Sequence, residues 1–446
     1  MIRQMPKGLQ NIHFTFVEDG LTYLAGFPII YQFVKSFQLK RFFQKYIFLS
    51  HRNTYYHWAD LLLSHFYHTI AGIERLDHIT SLKNNGLIPP LTGLPRIPST
   101  RAMRDFLLGM TPDDLAQIEK VHDIIRRKIF QYPNTLTSAT LDFDSSVLTV
   151  YGSQELAEVG YNPFKHGRKS YHPVFGFESH LKISLNGELR PGKKTNKKNV
   201  IPFIETALQK IPSTVAISRT RARADAGFYC WPTIKFLDGN GYGFVIVAQV
   251  TNPIKLQLPG LRYRVFNHQY KLAIAEFQYQ PHGWKKAHRF IVMRYQLPPE
   301  PETSQRTLLK LDRYQYHVFV TNLNLSPEHV WYFYSDRAAV ETYGIKELKL
   351  DFFMSKIPTR KFLANQAHLK LLLLDYDLFR WFQMLCLPEQ FQSKTLKWIR
   401  RNILVAPGRF ITPGHKNILK FQRNHPNEKL LKQIYHNAQK VRSLLK

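Results

Sequence analysis

The stretch Thr140–Ser146, "TLDFDSS", decides how the rest of the chain is read. In a strand, successive side chains point to opposite faces. Leu141 and Phe143 then face one way, while Asp142 and Asp144 lie side by side on the other. Two neighbouring carboxylates on the exposed face of an otherwise core-like strand have either a chemical reason or a local one, such as ending the strand through a backbone bond. Strand geometry does not choose between the two aspartates.

Downstream, period-2 segments continue. "SYHPVFGFES" (170–179) and "LKISLNGELRPG" (181–192) read as two further strands. "KKNVIPFIETALQKI" (197–211) then reads as an amphipathic helix, "STVAISR" (213–219) as a strand, "CWPTIKFLDGNG" (230–241) as a helix and "YGFVIVAQV" (242–250) as a buried strand. Three strands, then helix, strand, helix, strand, is an α/β layout. Residues 251–312 break the alternation with "KLAIAEFQYQ" and "HRFIVMRYQL", a β-rich insertion. "YHVFVTNL" (316–323) returns to core-strand composition, and helical pattern runs from Ser326 as N-cap to about residue 350.

Upstream, residues 1–135 read as helices. Ser99 caps one, and Thr111 with Pro112 opens another, "MTPDDLAQIEKVHDIIRRKIF". The two helices around Gly109 fit a helix-turn-helix or ordinary all-helical packing. At the other end, from about residue 390, lysines and arginines face a single acid, Glu428. The expected units are thus a helical DNA-binding or dimerisation region 1–135, a core in two parts at 136–250 and 313–385, the insertion 251–312, and a basic, helical C-terminal region 386–446.

Charge narrows the partners. The 446 residues carry a net charge of +30, with pI near 10.0. Such a chain repels itself unless a polyanion neutralises it, which points first to nucleic acid and second to an anionic membrane surface. No run of about 18 apolar residues free of charge occurs. The nearest, Leu369–Phe379, contains Lys370, Asp375 and Asp377, and Arg3 and Lys7 precede no cleavable apolar segment. The expectation is a cytoplasmic protein without a membrane partner. The two cysteines, Cys230 and Cys386, fit a reducing compartment and exclude a cysteine-built zinc site.

A chain with few acids and many bases suits phosphodiester chemistry. Two Mg²⁺ ions about 3.5–4 Å apart need only two or three carboxylates, because phosphate and water complete the coordination. The candidates in chain order are Asp142 and Asp144, then Asp225 in "RARADAGFY", then Glu341 in "YFYSDRAAVETYGIKELK".

These residues lie in segments that resemble bacterial insertion-sequence transposases of the DDE type, those with the group 1 transposase DDE domain. The resemblance rests on "LDFDSSVLTVYGSQELAEVGYNPFKHGRKSYHPVFGF", "LRPGKKTN", "RADAGFY" and "YSDRAAVETYGIKELKLDFF", and more loosely on "PSTRAMRDFL". It implies a ribonuclease-H-like core with the β-rich insertion between the second and third acids. It implies Asp144, Asp225 and Glu341 as ligands of Mg²⁺, with Mn²⁺ as a substitute. The family's tyrosine and arginine match Tyr334 and Arg337, which with Glu341 are spaced i, i+3 and i+7 on one helix face. A related group carries a lysine seven residues after the glutamate; Leu348 stands there, and Lys349, about 80° round the helix from Glu341, is the nearer substitute than Lys346. Ala226 replaces the usual serine, and Ser145 and Ser146 stand where threonine is usual.

The implied partners are double-stranded DNA, namely the element's terminal inverted repeats and a target, bound by a homodimer. "NPFKHGRKS" offers Lys165, Arg168 and Lys169 to phosphates, and "LRPGKKTNKK" offers Arg190, Lys193, Lys194, Lys197 and Lys198. Trp284 reads as packing, with stacking on an unpaired base as the alternative. His51, His57, His65 and His68 read as core or surface histidines before a zinc site. Two other functions stay open: a decayed or repurposed transposase that binds DNA without cutting, and a related nuclease of the same fold.

Overall fold

The structure is a computed structural model that describes residues 20–49, 55–84, 86, 89–131, 136–194, 200–267, 272–296, 314–338 and 341–445; for residues 84, 341, 342 and 415 it describes the backbone alone. Its centre is a nine-stranded mixed sheet built from β1 (Ala139–Ser145), β2 (Val174–Glu178), β3 (Ile183–Glu188), β4 (Thr220–Ala224), β5 (Gly243–Val247), β6 (Arg264–Asn267), β7 (Leu272–Tyr279), β8 (His288–Gln296) and β9 (Tyr314–Thr321). The strand order is β6-β7-β8-β9-β5-β4-β1-β2-β3. β1 runs parallel to β4, and β4 to β5; every other neighbouring pair is antiparallel. The parallel steps need crossovers. The helices Ile201–Leu208 and Trp231–Gly239 supply them.

The strands of the 251–312 segment close no sheet of their own. β8 pairs with β9, and β9 pairs with β5, so the segment widens the central sheet. One face of this extension buries Val245, Ile274, Ile291 and Phe319 together with Val330 of the helix Pro327–Ser335. That helix is thereby laid across the sheet close to β4 and β1.

One strand lies elsewhere than expected. "STVAISR" is a turn and then a short 3-10 turn at Ile217–Arg219, and the strand is the next segment, "TRARA". Ala222 and Ala224 pack opposite Leu141 and Phe143, while Arg223 stands opposite Asp142 on the other face. A buried arginine in a strand breaks the apolar alternation that marks strands in sequence, so the more apolar "VAI" carries the stronger strand signal.

The helix Phe362–Cys386 is the hub of the helical layer. It packs on β3 and on the helices Trp58–Ala71, Thr100–Leu108, Pro112–Gln131 and Glu428–Lys440. A helix buried on all sides keeps charges only where they are paired. Asp375 lies 2.7 Å from His65 Nδ1, Asp377 lies 2.6 Å from His122 Nε2, and Lys370 donates to Glu119 at 2.8 Å. Among the described residues no helix is long and apolar enough to cross a membrane.

The chain's two ends meet. Leu21–Thr22 pairs with Gly408–Ile411, which pairs with Ile418–Phe421, and the helix Glu428–Lys440 packs on Pro28–Phe37. The basic C-terminal region is therefore not wholly helical: it holds a hairpin and folds back on the N-terminal helices. Three N-caps stand where the sequence places them, Ser326 among them with its Oγ accepting from His329 N–H at 3.3 Å. Ser99 Oγ accepts from Ala102 N–H at 3.2 Å, and Thr111 and Asp114 cap each other reciprocally.

Candidate active site

β1 and β4 are in register from Ala139↔Thr220 to Phe143↔Ala224. The next residues on the two strands are Asp144 and Asp225. Adjacent strands lie about 4.8 Å apart, so the sheet sets these two residues at neighbouring positions, at the C-terminal ends of two adjacent parallel strands. Asp225 accepts from Gly227 N–H at 3.0 Å and caps the short turn Ala226–Phe228, which bends the chain away from the sheet end. Asp144 accepts from Ser145 N–H at 2.8 Å and from Arg337 Nη2 at 3.1 Å.

The neighbouring Asp142 shares the face of Asp144 but not its environment. Its side chain is fully buried at 0 %, whereas that of Asp144 keeps 16 % exposure. Arg223 donates Nε to Asp142 Oδ1 at 2.6 Å and Nη2 to Oδ2 at 2.8 Å. The same guanidinium donates to Ser179 Oγ at 2.7 Å and, through Nη1, to the carbonyl of Phe333. Burial pushes the Asp142 carboxyl upward, and the bonds from Arg223 oppose it. The exposed pair expected from the sequence is thus one open carboxylate and one internal strut, because the helix Pro327–Ser335 covers the strand's middle.

That strut, through its bond to Phe333, also fixes the end of the helix and so the segment beyond it. The helix ends at Ser335, before Arg337, so Tyr334, Arg337 and Glu341 do not lie on one uninterrupted helix. Arg337 is nonetheless brought in: it is 4 % exposed, with Nη2 donating to Phe143 O at 3.2 Å and Nη1 3.5 Å from the Tyr334 hydroxyl. The Glu341 backbone begins the wide turn Glu341–Ile345, and the Glu341 side chain lies outside the described residues. Two residues on, the Tyr343 carbonyl is held by the Tyr376 hydroxyl at 2.9 Å and Arg380 Nη2 at 3.2 Å. Leu348 is fully buried, Lys346 is exposed, and Lys349 is half-buried on the side of Asp144. Burial lowers the Lys349 ammonium, and the charge of Asp144 works in the opposite direction.

The two basic loops come together at this same end of the sheet. β1 ends opposite the start of β2, and the end of β3 lies there too, with Ser145 paired to Val174 and Val174 to Glu188. The segment between β1 and β2 folds as a flap of three short strands, Leu148–Thr149, Glu158–Val159 and Lys169–Tyr171. It packs on the loop after β3. A Cβ on Gly192 would collide with the carbonyl oxygens of Glu158 and Ser170, so only glycine allows the approach. Lys165, Arg168, Lys169, Lys193 and Lys194 are exposed. Arg190 is not part of that surface: it is 4 % exposed and donates Nε to His172 O at 2.9 Å, beneath the loops. Lys197 and Lys198 lie outside the described residues.

The remaining candidates are packing. Trp284 is buried against Tyr229, Trp231 and His288. His57 Nδ1 caps the helix Trp58–Ala71, His65 Nε2 meets His368 Nδ1 at 3.0 Å, and His51 lies outside the described residues. Among the described residues no group of three or more His, Cys, Asp or Glu side chains is gathered to hold a metal ion. What the sheet end does offer is two carboxylates, neither fully buried, from adjacent strands. Hard oxygen donors of this kind are what Mg²⁺ or Mn²⁺ takes. Sequence reading missed Arg223. The signal was present in "RARAD", where alternation puts Arg223 and Asp225 on one face, level with Asp142 and Asp144.

Comparison with known proteins returns the family model described as transposase DDE domain group 1, matched over residues 5–443. No curated protein matches. Among solved structures, the chain is similar to the one described as the cryo-EM structure of piggyBac transposase synaptic complex with hairpin DNA. The identity there is 14 %, over 87 % of this chain and 83 % of that one, with a TM-score of 0.45.

Proposed function

This chain belongs to the transposase DDE domain group 1 family, and we propose that it is a DNA transposase in which Asp144, Asp225 and Glu341 carry divalent-metal-dependent strand cleavage and joining. The observation that carries the reading is the β1–β4 register, which sets Asp144 beside Asp225 where the strands end. The strand order β3-β2-β1-β4-β5, with the first three antiparallel and the last three parallel, supports a ribonuclease-H-like core.

When bound, Mg²⁺ supplies an activated water or 3′-hydroxyl and stabilises the leaving oxygen. The chain's own residues do the rest. Asp144 and Asp225 hold their carboxylates in place through bonds from Ser145 and Gly227 N–H, so each keeps its aim without moving. Glu341 is the third ligand of this reading, delivered by the turn that Tyr376 and Arg380 anchor at Tyr343. Arg337 and Lys349 place positive charge beside Asp144, where a scissile phosphate would bring negative charge. The lysines of the flap and of the loop after β3 hold the duplex by its phosphates.

The protein so read acts on the inverted repeats of its element and joins the freed 3′ ends to a target, working as a dimer because two ends are cut and joined. The test is incubation with Mg²⁺ and a supercoiled plasmid carrying the repeats that flank the coding region. Cleaved and joined products are expected. Cleavage without joined products would make it a nuclease, and end-specific binding without cleavage in Mg²⁺ or Mn²⁺ a DNA-binding derivative.

A further inference from the structure

The flap after the catalytic strand shows three large aromatic side chains to solvent: Phe164 at 82 %, Tyr161 at 75 % and Tyr151 at 69 % exposure. Tyrosine and phenylalanine normally bury most of their rings. These three lie among Lys165, His166, Arg168 and Lys169. Lys165 Nζ sits 4.9 Å from the Tyr151 ring centre and donates to its hydroxyl.

The aromatic tips stand on a fixed base. Asn162 is 3 % exposed; its Oδ1 accepts from Phe164 N–H at 3.2 Å and Lys165 N–H at 3.0 Å, and its Nδ2 donates to Thr149 Oγ1 at 3.0 Å. The flap root is tied to the start of the hub helix, where Glu155 N–H donates to Arg360 O at 2.8 Å and Glu155 Oε2 accepts from Phe362 N–H at 2.9 Å. Ring ordering therefore costs little on binding, since the backbone is already set.

A groove of about 610 Å³ opens between the flap and the helical layer. Its walls include Val147, Thr149, Tyr151 and Gln154 of the flap, and Lys349, whose ammonium feels the charge of Asp144. Another wall residue, His68, is 5 % exposed and keeps a buried Nδ1 with no hydrogen-bond partner among the described residues. A ring face stacks on any base, and exposed cations beside it track the backbone. A fully paired duplex offers no unstacked base to such rings.

We propose that the 147–171 flap is a stacking platform for unpaired bases, receiving the DNA strand that is separated next to the scissile phosphate. Phe164 and Tyr161 stack on the separated bases, beside the flap cations Lys165, Arg168 and Lys169, which hold the duplex phosphates up to the point of separation. The inference rests on the transposase reading for the identity of the DNA, but its test needs no cleavage.

The experiment uses the full chain in EDTA with two fluorescent DNAs of one sequence, a paired duplex and a fork with an unpaired thymidine tail. The wild-type protein is expected to bind the fork more tightly. The variant Y161A/F164A should lose about ten-fold or more on the fork and less than two-fold on the duplex, while F164W retains the preference. Both positions are exposed, so folding is unaffected, and Asp225→Asn should keep the fork preference whether or not the cleavage reading survives. Equal losses on both DNAs would overturn the proposal. So would unchanged binding accompanied by a shift in sedimenting oligomer, which would make the patch a contact between copies of the chain.

Discussion

Arg223 grips Asp142 with two parallel bonds, Nε to Oδ1 at 2.6 Å and Nη2 to Oδ2 at 2.8 Å, while Asp144, two residues along the same strand face, is left partly open and bonded to Arg337 at 3.1 Å. Removing one member of a buried ion pair leaves the other charged and desolvated, at a cost of about 3–5 kcal/mol. Asp142→Ala should therefore lower stability by about that amount in urea unfolding. Asp144→Asn keeps an oxygen acceptor for the buried Arg337 but removes its counter-charge, so it should cost less than Asp142→Ala, about 1–3 kcal/mol, and lose activity as well. A stable Asp142→Ala protein would show that Arg223 is satisfied in another way.

The position at which a related group carries a lysine gives a second prediction. Leu348 is fully buried, so Leu348→Lys would place an ammonium in the core rather than at the DNA. It should destabilise the protein by several kcal/mol and restore nothing. Lys349→Met, by contrast, should leave the unfolding midpoint near that of the wild type and slow cleavage by about ten-fold or more. Thermal melts alongside a single-turnover cleavage assay separate the two outcomes.

Gly192 decides whether the two basic loops stay together. Gly192→Ala drives a methyl group into the carbonyls of Glu158 and Ser170. The expected result is a local rearrangement that weakens duplex binding and flattens its salt dependence, because phosphate contacts set that slope. An unchanged salt slope would mean that Lys193 and Lys194 act independently of Lys165, Arg168 and Lys169.

Burial lowers the pKa of His68 to about 3, with the charge of His65 adding to the effect, against an ordinary value of 6.5. Between those values the unfolded chain binds a proton at this residue and the folded chain does not. Stability therefore rises with pH across that window and falls as the pH drops from 6.5 toward 3, by at most about 1.4 kcal/mol per pH unit for one group. His68→Leu should make the acid slope of the unfolding free energy shallower between about pH 6 and pH 4. A slope identical to that of the wild type would place the acid sensitivity elsewhere.

Much of the central sheet was legible because its strands are short apolar runs bounded by turn residues and its crossover helices carry prolines in their first turns. What escaped was set by pairing. The strand "TRARA" looked polar because Arg223 is internal, and its partner Asp142 is remote in sequence. Arg190 looked like one more loop cation, yet the His172 carbonyl beneath the loops takes its Nε. Asp144 could be singled out from Asp142 only through the family pattern, since alternation treats the two alike; burial is what separates them. The meeting of the two lysine loops depends on a glycine contact that no local pattern encodes.

The transposase reading turns on Asp144 and Asp225 acting as one metal-holding pair. The decisive measurement is Mg²⁺-dependent cleavage of the donor plasmid by Asp144→Asn, Asp225→Asn and Glu341→Gln proteins, with DNA affinity measured beside it. Each variant is expected to bind DNA within about two-fold of the wild type and to cleave about a thousand-fold more slowly or worse. Cleavage by either aspartate variant at more than about a tenth of the wild-type rate would show that the pair does not hold the metal.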